Sequence, residues 1–318
     1  MRIQNDFDCR PISCGHVYEK LNRTGWMTVT NYEVSNGLFL NLMYSDIDEF
    51  VNQDLVGETN YLALALMLRG AAEFQMEGTR VGFIPGAALF GAHYNKRMKM
   101  TVNTRRCTGL SLILSADASI GTLGDDPGLD EVLEAIRTKL GTGMNRLFRI
   151  PLEVAVLQES LLLELERNRC RDADYIGKRA SQILHVLYRM PGPEWVEVPD
   201  VSDNLAVDRA VFMMTEDLSR RRTVREVCES LGIDEFWFIN NFRRRYGMTP
   251  TGYVMHIRHI RSAAMLLAGH HKVSEVAENV GYSSKSMFLK AFRKINGCNP
   301  SEYVDNFDRM IEAYPGKA

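Results

Sequence analysis

The sequence predicts an α+β protein in which a β-rich front part and a group of helices precede an all-helical C-terminal part. Short apolar segments separated by glycine-containing turns fill residues 22–115, a pattern typical of a small β-barrel or sandwich. Apolar residues at helical spacing follow over 127–190, and the C-terminal part repeats one pattern twice. A chain of 318 residues is long enough for two domains. We predict them at 1–190 and 205–318, joined by the Pro- and Gly-containing linker 191–204.

Six predicted strands are short apolar runs that end at turn-forming residues. They are Leu38–Tyr44, Tyr61–Leu68, Ala72–Met76, Thr79–Ile84, Ala87–Phe90 and Thr108–Leu114. Polar side chains on or beside these strands could orient a small molecule, and the candidates are Arg69, Glu73, Arg80 and His93. The alternative for each of the four is a solvated surface position.

Three helices are predicted between the strands and the linker. The first covers 127–141, the second starts at Pro151, and the third runs from Asp172 to the residue before Pro191. Proline near a helix start and just beyond a helix end agrees with these bounds.

The repeat lies in the C-terminal part. Val224–Gly232 matches Val273–Gly281 at an offset of 49 residues. The match then resumes at an offset of 50, where the pairs are Phe238 and Phe288, Phe242 and Phe292, Arg243 and Arg293, Gly247 and Gly297, and Pro250 and Pro300. A long period with this many coincidences indicates a duplicated supersecondary unit.

Each copy of the unit, at 223–246 and 272–296, is predicted to be a helix-turn-helix. The first helix of copy one begins with the capping-box pattern Thr223–Glu226. Gly232 and Gly281 lie where the first helix of each copy must stop and the chain must turn, a position that favours positive φ.

The second helix of each copy is predicted to start after an N-cap at Asp234 and at Ser283. Its apolar face carries the paired phenylalanines, and its polar face ends in cations at 243–245 and at 293–294. A basic, exposed second helix is typical of the element that enters the DNA major groove. The alternative is a plain helical bundle with a solvated basic surface.

A long helix joins the two copies. Thr249 and Pro250 predict its start and Gly269 its end, about 19 residues or roughly 28 Å at ~1.5 Å per residue. Successive major grooves on one face of DNA lie ~34 Å apart. The helix can therefore present both units to one face of a duplex.

Charge is distributed unevenly along the chain. The net charge is −2, but residues 205–318 hold 17 Lys/Arg and 13 Asp/Glu, a net +4, and the remainder is −6. This asymmetry favours a basic DNA-binding part joined to an acidic front part.

Residues 205–307 resemble the DNA-binding domain of the AraC/XylS family of bacterial transcription regulators. The resemblance is carried by Val276–Ser284, by Phe288 and Ala291–Lys294, and by Asn299–Tyr303. The first recognition helix departs from the family pattern, since Asn240 stands where many members have Arg.

The resemblance implies DNA contacts at the second helix of each copy. The implied residues are Glu235, Phe236, Ile239, Asn240, Arg243 and Arg244 in copy one, and Ser284, Lys285, Ser286, Leu289, Lys290, Arg293 and Lys294 in copy two. We expect Arg243, Arg244, Arg293 and Lys294 to hold phosphates. The residues implied to meet base edges are Phe236, Ile239, Asn240, Lys285, Ser286, Leu289 and Lys290. Trp237 can belong either to the core or to this surface.

The resemblance also implies a cupin-like β-barrel in the front part, a small-molecule effector inside it, and a homodimer formed through the helices at 127–190. We expect an activator, with RNA polymerase as a partner. The layout of 61–190 is similar to regulators of siderophore uptake of the pyochelin and yersiniabactin type, which implies control of iron-acquisition genes. The alternative is a front part that only dimerises or binds a protein partner.

No cofactor, metal site or enzyme activity is predicted. The sequence holds no Gly-rich phosphate-binding loop, nucleophile elbow or HExxH motif. The front part offers His93 on its strands and His16 before them, too few for the ligand set of a metal-dependent cupin enzyme. Such an enzyme joined to a DNA-binding part is the remaining alternative.

A cytoplasmic protein without a membrane partner is expected. Residues 1–30 lack the apolar core of a secretion signal, and the longest apolar run, Tyr61–Leu68, is too short to cross a bilayer.

Overall fold

The computed structural model describes most of the chain. The described residues are 8–12, 15–22, 25–35, 37–47, 51–52, 61–76, 79–93, 99–115, 129–140, 146–168, 173–195 and 204–312. Parts of several predictions lie outside them: both ends of the first helix, Asp172 at the start of the third, residues 196–203 of the linker and residues 313–318 of the C-terminal domain.

The described strands all lie in the front part. They are β1 (Asp8–Ile12), β2 (Gly15–Asn22), β3 (Gly25–Ser35), β4 (Leu38–Ile47), β5 (Val51–Asn52), β6 (Tyr61–Arg69), β7 (Ala72–Met76), β8 (Thr79–Phe83), β9 (Ala87–His93), β10 (Lys99–Val102), β11 (Arg106–Ser115) and β12 (Arg146–Arg149). All six predicted strands are present, but the β region begins at Asp8 rather than at residue 22. Strand β2 is not predicted from the sequence because it is rich in polar residues. Its Val17 side chain nevertheless lies in the core.

The strands form two antiparallel sheets. The first has the order β1-β2-β3-β4-β11-β6-β9-β12 and the second the order β5-β10-β7-β8. Strands β4 and β11 pair in a register that sets Leu42 beside Leu110, and both side chains are buried.

The predicted closed, cupin-like barrel is not confirmed. In the described part of the chain, β1 and β12 are the outer strands of the larger sheet, and β5 and β8 those of the smaller one. Alternating strands and turns indicate antiparallel pairing, but they do not determine whether a sheet's first and last strands meet.

The described helices follow β11, and β12 lies between the first two of them. They are α1 (Leu129–Leu140), α2 (Leu152–Asn168), α3 (Ala173–Arg189), α4 (Asn204–Thr215), α5 (Val224–Leu231), α6 (Glu235–Tyr246), α7 (Pro250–Leu267), α8 (Val273–Asn279), α9 (Lys285–Asn296) and α10 (Pro300–Glu312). The predicted helix starts at Pro151 and Pro250 agree with α2 and α7 to within one residue.

The front part and the C-terminal helices share their hydrophobic cores. One cluster joins the larger sheet and α1–α3 to α7–α10, and another joins the smaller sheet to α4–α7. Helix α2 packs along α7, and α3 contacts α10. The helices predicted to form a dimer contact therefore pack within the chain, and the dimer stays a prediction.

Polar contacts reinforce the same junction. Arg149 Nη1 donates to the Tyr246 carbonyl at the end of α6, at 3.0 Å. Arg189 Nη1 donates to the carbonyls of Ile311 and Glu312 at the end of α10, at 2.9 and 2.6 Å. Two helices of the C-terminal part thus end against guanidinium groups of the front part.

None of the helices within the described ranges has the length and apolar character needed to span a bilayer.

Candidate nucleic-acid interface

The first helix-turn-helix unit has the predicted caps. The Thr223 backbone N–H donates to the Glu226 carboxylate at 2.7 Å, which completes the capping box of α5. Gly232 follows α5 with φ of 64°, and the Asp234 side chain accepts from the Trp237 backbone N–H at 2.7 Å. The turn therefore fixes the direction in which α6 starts.

The second unit repeats this geometry with one correction. Gly281 adopts φ of 80° after α8, as predicted. The N-cap of α9 is Ser284, whose hydroxyl accepts from the Met287 backbone N–H at 3.2 Å, so the prediction of Ser283 was wrong. The offset of 50 that governs this part of the repeat maps Asp234 onto residue 284, and that signal identifies the cap.

The two recognition helices, α6 and α9, bury the same face. Phe238 and Phe242 of α6 are fully buried, as are Phe288 and Phe292 of α9. Phe242 packs edge-on against Tyr253 of α7, and Phe292 packs edge-on against Tyr303 of α10, with ring centroids 5.5 and 5.3 Å apart. Edge-on aromatic pairs add about 0.5–1.5 kcal/mol beyond burial, so each recognition helix is held on a neighbouring helix.

The opposite face of α6 is exposed. Glu235, Asn240, Arg243 and Arg244 are exposed, and Phe236 is 76% exposed. Ile239 is half-buried, and so is Trp237, which packs against the core cluster beneath α6. An exposed phenylalanine beside polar and basic groups suits contact with base edges or the thymine methyl.

The exposed face of α9 is more basic. Lys285, Ser286, Lys290, Arg293 and Lys294 are exposed, the Ser284 hydroxyl is engaged as the N-cap, and Leu289 is half-buried against the core. Sequence reasoning missed Met287, which is 51% exposed at the position equivalent to Trp237. The same offset of 50 shows the correspondence.

Two of the arginines already bind a neighbour on the surface. Arg244 Nη2 donates to Asn241 Oδ1 at 2.5 Å, and Arg293 Nε donates to Asn299 Oδ1 at 3.1 Å. These asparagines fix the direction of each guanidinium beside the exposed face, which suits a phosphate-holding role.

Arg245 does not belong to the basic end of α6. It is 5% exposed, and its Nη2 lies 2.8 Å from Oδ1 of Asp208 on α4. Asn103, in the turn before β11, donates to the other carboxylate oxygen at 3.1 Å. Burial raises the pKa of Asp208 to about 6, and Arg245 opposes the rise. A buried pair thus connects the front part, α4 and the first recognition helix.

Helix α7 holds the two units apart. Its 18 residues span about 27 Å at ~1.5 Å per residue, close to the length predicted. Thr249 caps its start and accepts from the Gly252 backbone N–H at 3.1 Å. A well-capped helix of this length can carry α6 and α9 to successive major grooves.

The predicted effector residues do not come together in one described site. Arg69 lines a cavity of about 600 Å³ between the larger sheet, α2, α4 and α7. Glu73 is buried elsewhere, in the smaller sheet. Only the backbone of Arg80 and His93 is described, in β8 and β9, so their side chains lie outside the description. The described residues contain no cluster of three or more His, Cys, Asp or Glu suited to a metal ion.

Comparison with known proteins assigns the C-terminal part. A family model described as "Helix-turn-helix domain" matches residues 227–306. This region is a helix-turn-helix domain. The match covers both recognition helices and the helix between them.

Curated relatives of the helix-turn-helix domain are named as transcription regulators. The uncharacterized HTH-type transcriptional regulator YisR of Bacillus subtilis is 23% identical over 119 residues, which are 37% of this chain and 41% of the relative. The transcriptional regulatory protein HptR of Staphylococcus aureus is 28% identical over 101 residues, which are 32% of this chain and 40% of the relative. The chain thus covers about two fifths of the length of these relatives.

One solved structure matches most of this chain, and another matches about a third of it. ToxT from Vibrio cholerae is 16% identical, with 85% of this chain and 97% of that chain covered at a TM-score of 0.31. The C-terminal domain of AraT, a response regulator from Geobacillus stearothermophilus, is 26% identical, with 32% of this chain and 84% of that chain covered at a TM-score of 0.30. The siderophore resemblance of residues 61–190 stays a prediction.

Proposed function

We propose that the chain is a sequence-specific DNA-binding transcription regulator of the AraC type, and that it acts as an activator. The observation that carries this proposal is the pair of recognition helices, each capped, buried on its phenylalanine face and exposed on its polar face, at the two ends of α7. The matched helix-turn-helix domain and the names of the relatives support it.

The two recognition helices are proposed to contribute unequally. Helix α9 carries Lys285, Ser286 and Lys290 on its exposed face, and lysine pairs well with guanine O6 and N7. Helix α6 carries Glu235 and Asn240, and a carboxylate repels phosphate although it can accept from cytosine N4. We therefore assign the stronger base reading to α9.

A matched pair of lysines on α9 tests the assignment. Lys290→Ala should lower affinity for the cognate fragment by ~1–3 kcal/mol and relax the preference at one position, because it removes a base contact. Lys294→Ala should weaken cognate and scrambled DNA alike and lower the salt slope by about 1, because it removes a phosphate contact.

The measurement is fluorescence anisotropy on a fragment selected from genomic DNA by the purified full chain, over a series of salt concentrations. Arg309→Ala, which removes an exposed cation from α10, is the control for net charge and should change neither affinity nor slope by much. Equal losses on cognate and scrambled DNA for Lys290→Ala would contradict its role.

The front part is proposed to bind a small effector and to form a homodimer, and RNA polymerase is the proposed partner of the activator. The cavity of about 600 Å³ between the two parts favours an effector over a front part that only dimerises. A siderophore effector and control of iron-acquisition genes remain our prediction from residues 61–190. Repeating the fragment selection with and without an iron-loaded siderophore tests it.

A further inference from the structure

The cavity between the front part and the helix-turn-helix domain has the size of a small-molecule site. Strands β6 and β11 and helix α2 form one wall, and α4 and α7 form the other. Its volume of about 600 Å³ lies within the ~300–1,000 Å³ typical of sites for small organic ligands. A molecule bound there would touch both parts of the chain at once.

Both walls are largely apolar. The apolar lining residues of the front part include Met67, Leu68 and Leu163, and those of the C-terminal part include Phe212, Ile257 and Met265. Such walls favour a ligand with an apolar body, since its transfer from water is favourable.

The charges at the centre of the cavity wall balance. Glu159 contacts both Arg69 and Arg261, and Arg69 lies 3.8 Å from Glu166. Two cations and two anions therefore compensate one another. Burial and the nearby Arg69 lower the pKa of Arg261 to about 9, which leaves it protonated at neutral pH.

Other charged groups on the wall also have partners. The pairs are Arg106 with Asp46 at 3.2 Å, Glu216 with Arg222 at 3.1 Å, and Asp217 with the Ser219 hydroxyl at 2.6 Å. An entering carboxylate or ammonium would lose its hydration without meeting an opposite charge that needs a partner.

One buried donor on a wall residue lacks an acceptor. Gln158 on α2 lines the cavity and is 1% exposed, and its Nε2 has no hydrogen-bond partner among the described residues. A buried donor is normally satisfied, so this wall fits a ligand that brings an acceptor oxygen.

We propose that this cavity binds an uncharged, largely apolar small molecule whose carbonyl oxygen accepts a hydrogen bond from Gln158 Nε2. This inference deepens the proposed function and rests on it only in making that molecule the effector, and it favours an uncharged effector over the siderophore predicted from residues 61–190. Because α7 joins the two recognition helices, a ligand held between α2 and α7 would bias how both helices meet DNA. DNA must then change the ligand's affinity by the same factor.

The test uses two fluorescent probes of similar size on the purified full chain without DNA. Prodan is an uncharged naphthyl ketone, and anilinonaphthalene sulfonate is an anion. Prodan should bind with a blue-shifted emission and at least about tenfold more tightly than the sulfonate, because only Prodan avoids placing an uncompensated charge in the cavity. Tighter binding of the sulfonate would overturn the proposal.

Three variants locate the site. Gln158→Leu keeps the volume and removes the donor, so it should weaken Prodan binding about tenfold, the order of one hydrogen bond. Leu163→Trp fills the cavity and should abolish saturable binding. Gln182→Leu is the control, since Gln182 lies on α3 and donates to Asp308 away from the cavity wall.

Unchanged Prodan affinity in Gln158→Leu or in Leu163→Trp would place the probe elsewhere and overturn the proposal. Circular dichroism checks that each variant is folded. Prodan binding is measured without DNA, and fragment selection without Prodan. Failure of the ligand site and failure of the DNA-binding function are therefore separate results.

Discussion

Gly232 and Gly281 occupy the same place in the two helix-turn-helix units but have different surroundings. Their φ angles are 64° and 80°, so both adopt the left-handed conformation that disfavours residues with a Cβ atom. A Cβ at Gly232 would meet nothing within 4 Å. A Cβ at Gly281 would lie 2.2 Å from the Leu218 carbonyl oxygen and 2.8 Å from Arg258 Nη2.

The two alanine variants should therefore differ in stability. Gly232→Ala should lower the free energy of unfolding by about 1 kcal/mol, the cost of a left-handed backbone conformation for a residue with a Cβ atom. Gly281→Ala meets the same strain and must also displace the Leu218 backbone by about 1 Å, which overpacking data put at a further ~1–3 kcal/mol. Its total loss should be about 2–4 kcal/mol, a large part of the ~5–15 kcal/mol that stabilises a typical protein.

Urea unfolding followed by tryptophan fluorescence and circular dichroism measures the difference as a shift of the midpoint. Asparagine tolerates the left-handed conformation better than alanine, so Gly232→Asn should be nearly neutral, whereas Gly281→Asn should remain destabilising because its Cβ still meets Leu218. Equal losses at the two glycines would refute the view that the approach of Leu218, rather than φ, sets the requirement for glycine at 281.

Two further predictions concern buried charge. Asp208→Asn should lower stability by about 3 kcal/mol because it leaves Arg245 buried without a counter-ion, whereas the same change at Asp308, which pairs with Lys178 at the surface, should alter stability by less than about 1 kcal/mol. Equal urea midpoints for the two variants would contradict this. Burial lowers the pKa of His259 from 6.5 to about 4, so the unfolded chain takes up its proton first, and stability is full above about pH 6.5 and falls as the pH drops toward 4. His259→Phe should therefore recover up to about 2 kcal/mol of the loss between pH 7 and pH 5, and an unchanged pH profile of the urea midpoint would exclude this origin.

Local signals predicted the C-terminal part well. The capping box at Thr223, the glycine turns and the Thr249 cap of α7 are all interactions between neighbours in sequence, and all are confirmed. The one wrong cap, Ser283, came from keeping the first offset of the repeat after it had changed. Similarly, Arg245 follows Phe238 and Phe242 at helical spacing, and this periodicity places it on the buried face.

The front part depends on contacts between distant residues, and there the sequence was less informative. The predicted strands exist, but the two sheets that they form, open within the described residues, rest on pairings such as β4 with β11, more than sixty residues apart. No local pattern specifies such a partner. The cavity is likewise formed by β6, α2 and α7, so Gln158 and Arg261 could not be placed beside Arg69 from sequence alone.

Arg149 and Arg189, which bind the ends of α6 and α10, affect how readily the helix-turn-helix domain can be joined to a different front part. Their guanidinium groups bind the terminal carbonyls of α6 and α10 from outside the helix-turn-helix domain. A chimaera that joins residues 204–312 to a different front part would lose both partners, and those carbonyls would then hydrogen-bond water. A front part that brings an arginine to each position would keep both contacts, so the sequence of the front part is linked to that of the helix-turn-helix domain.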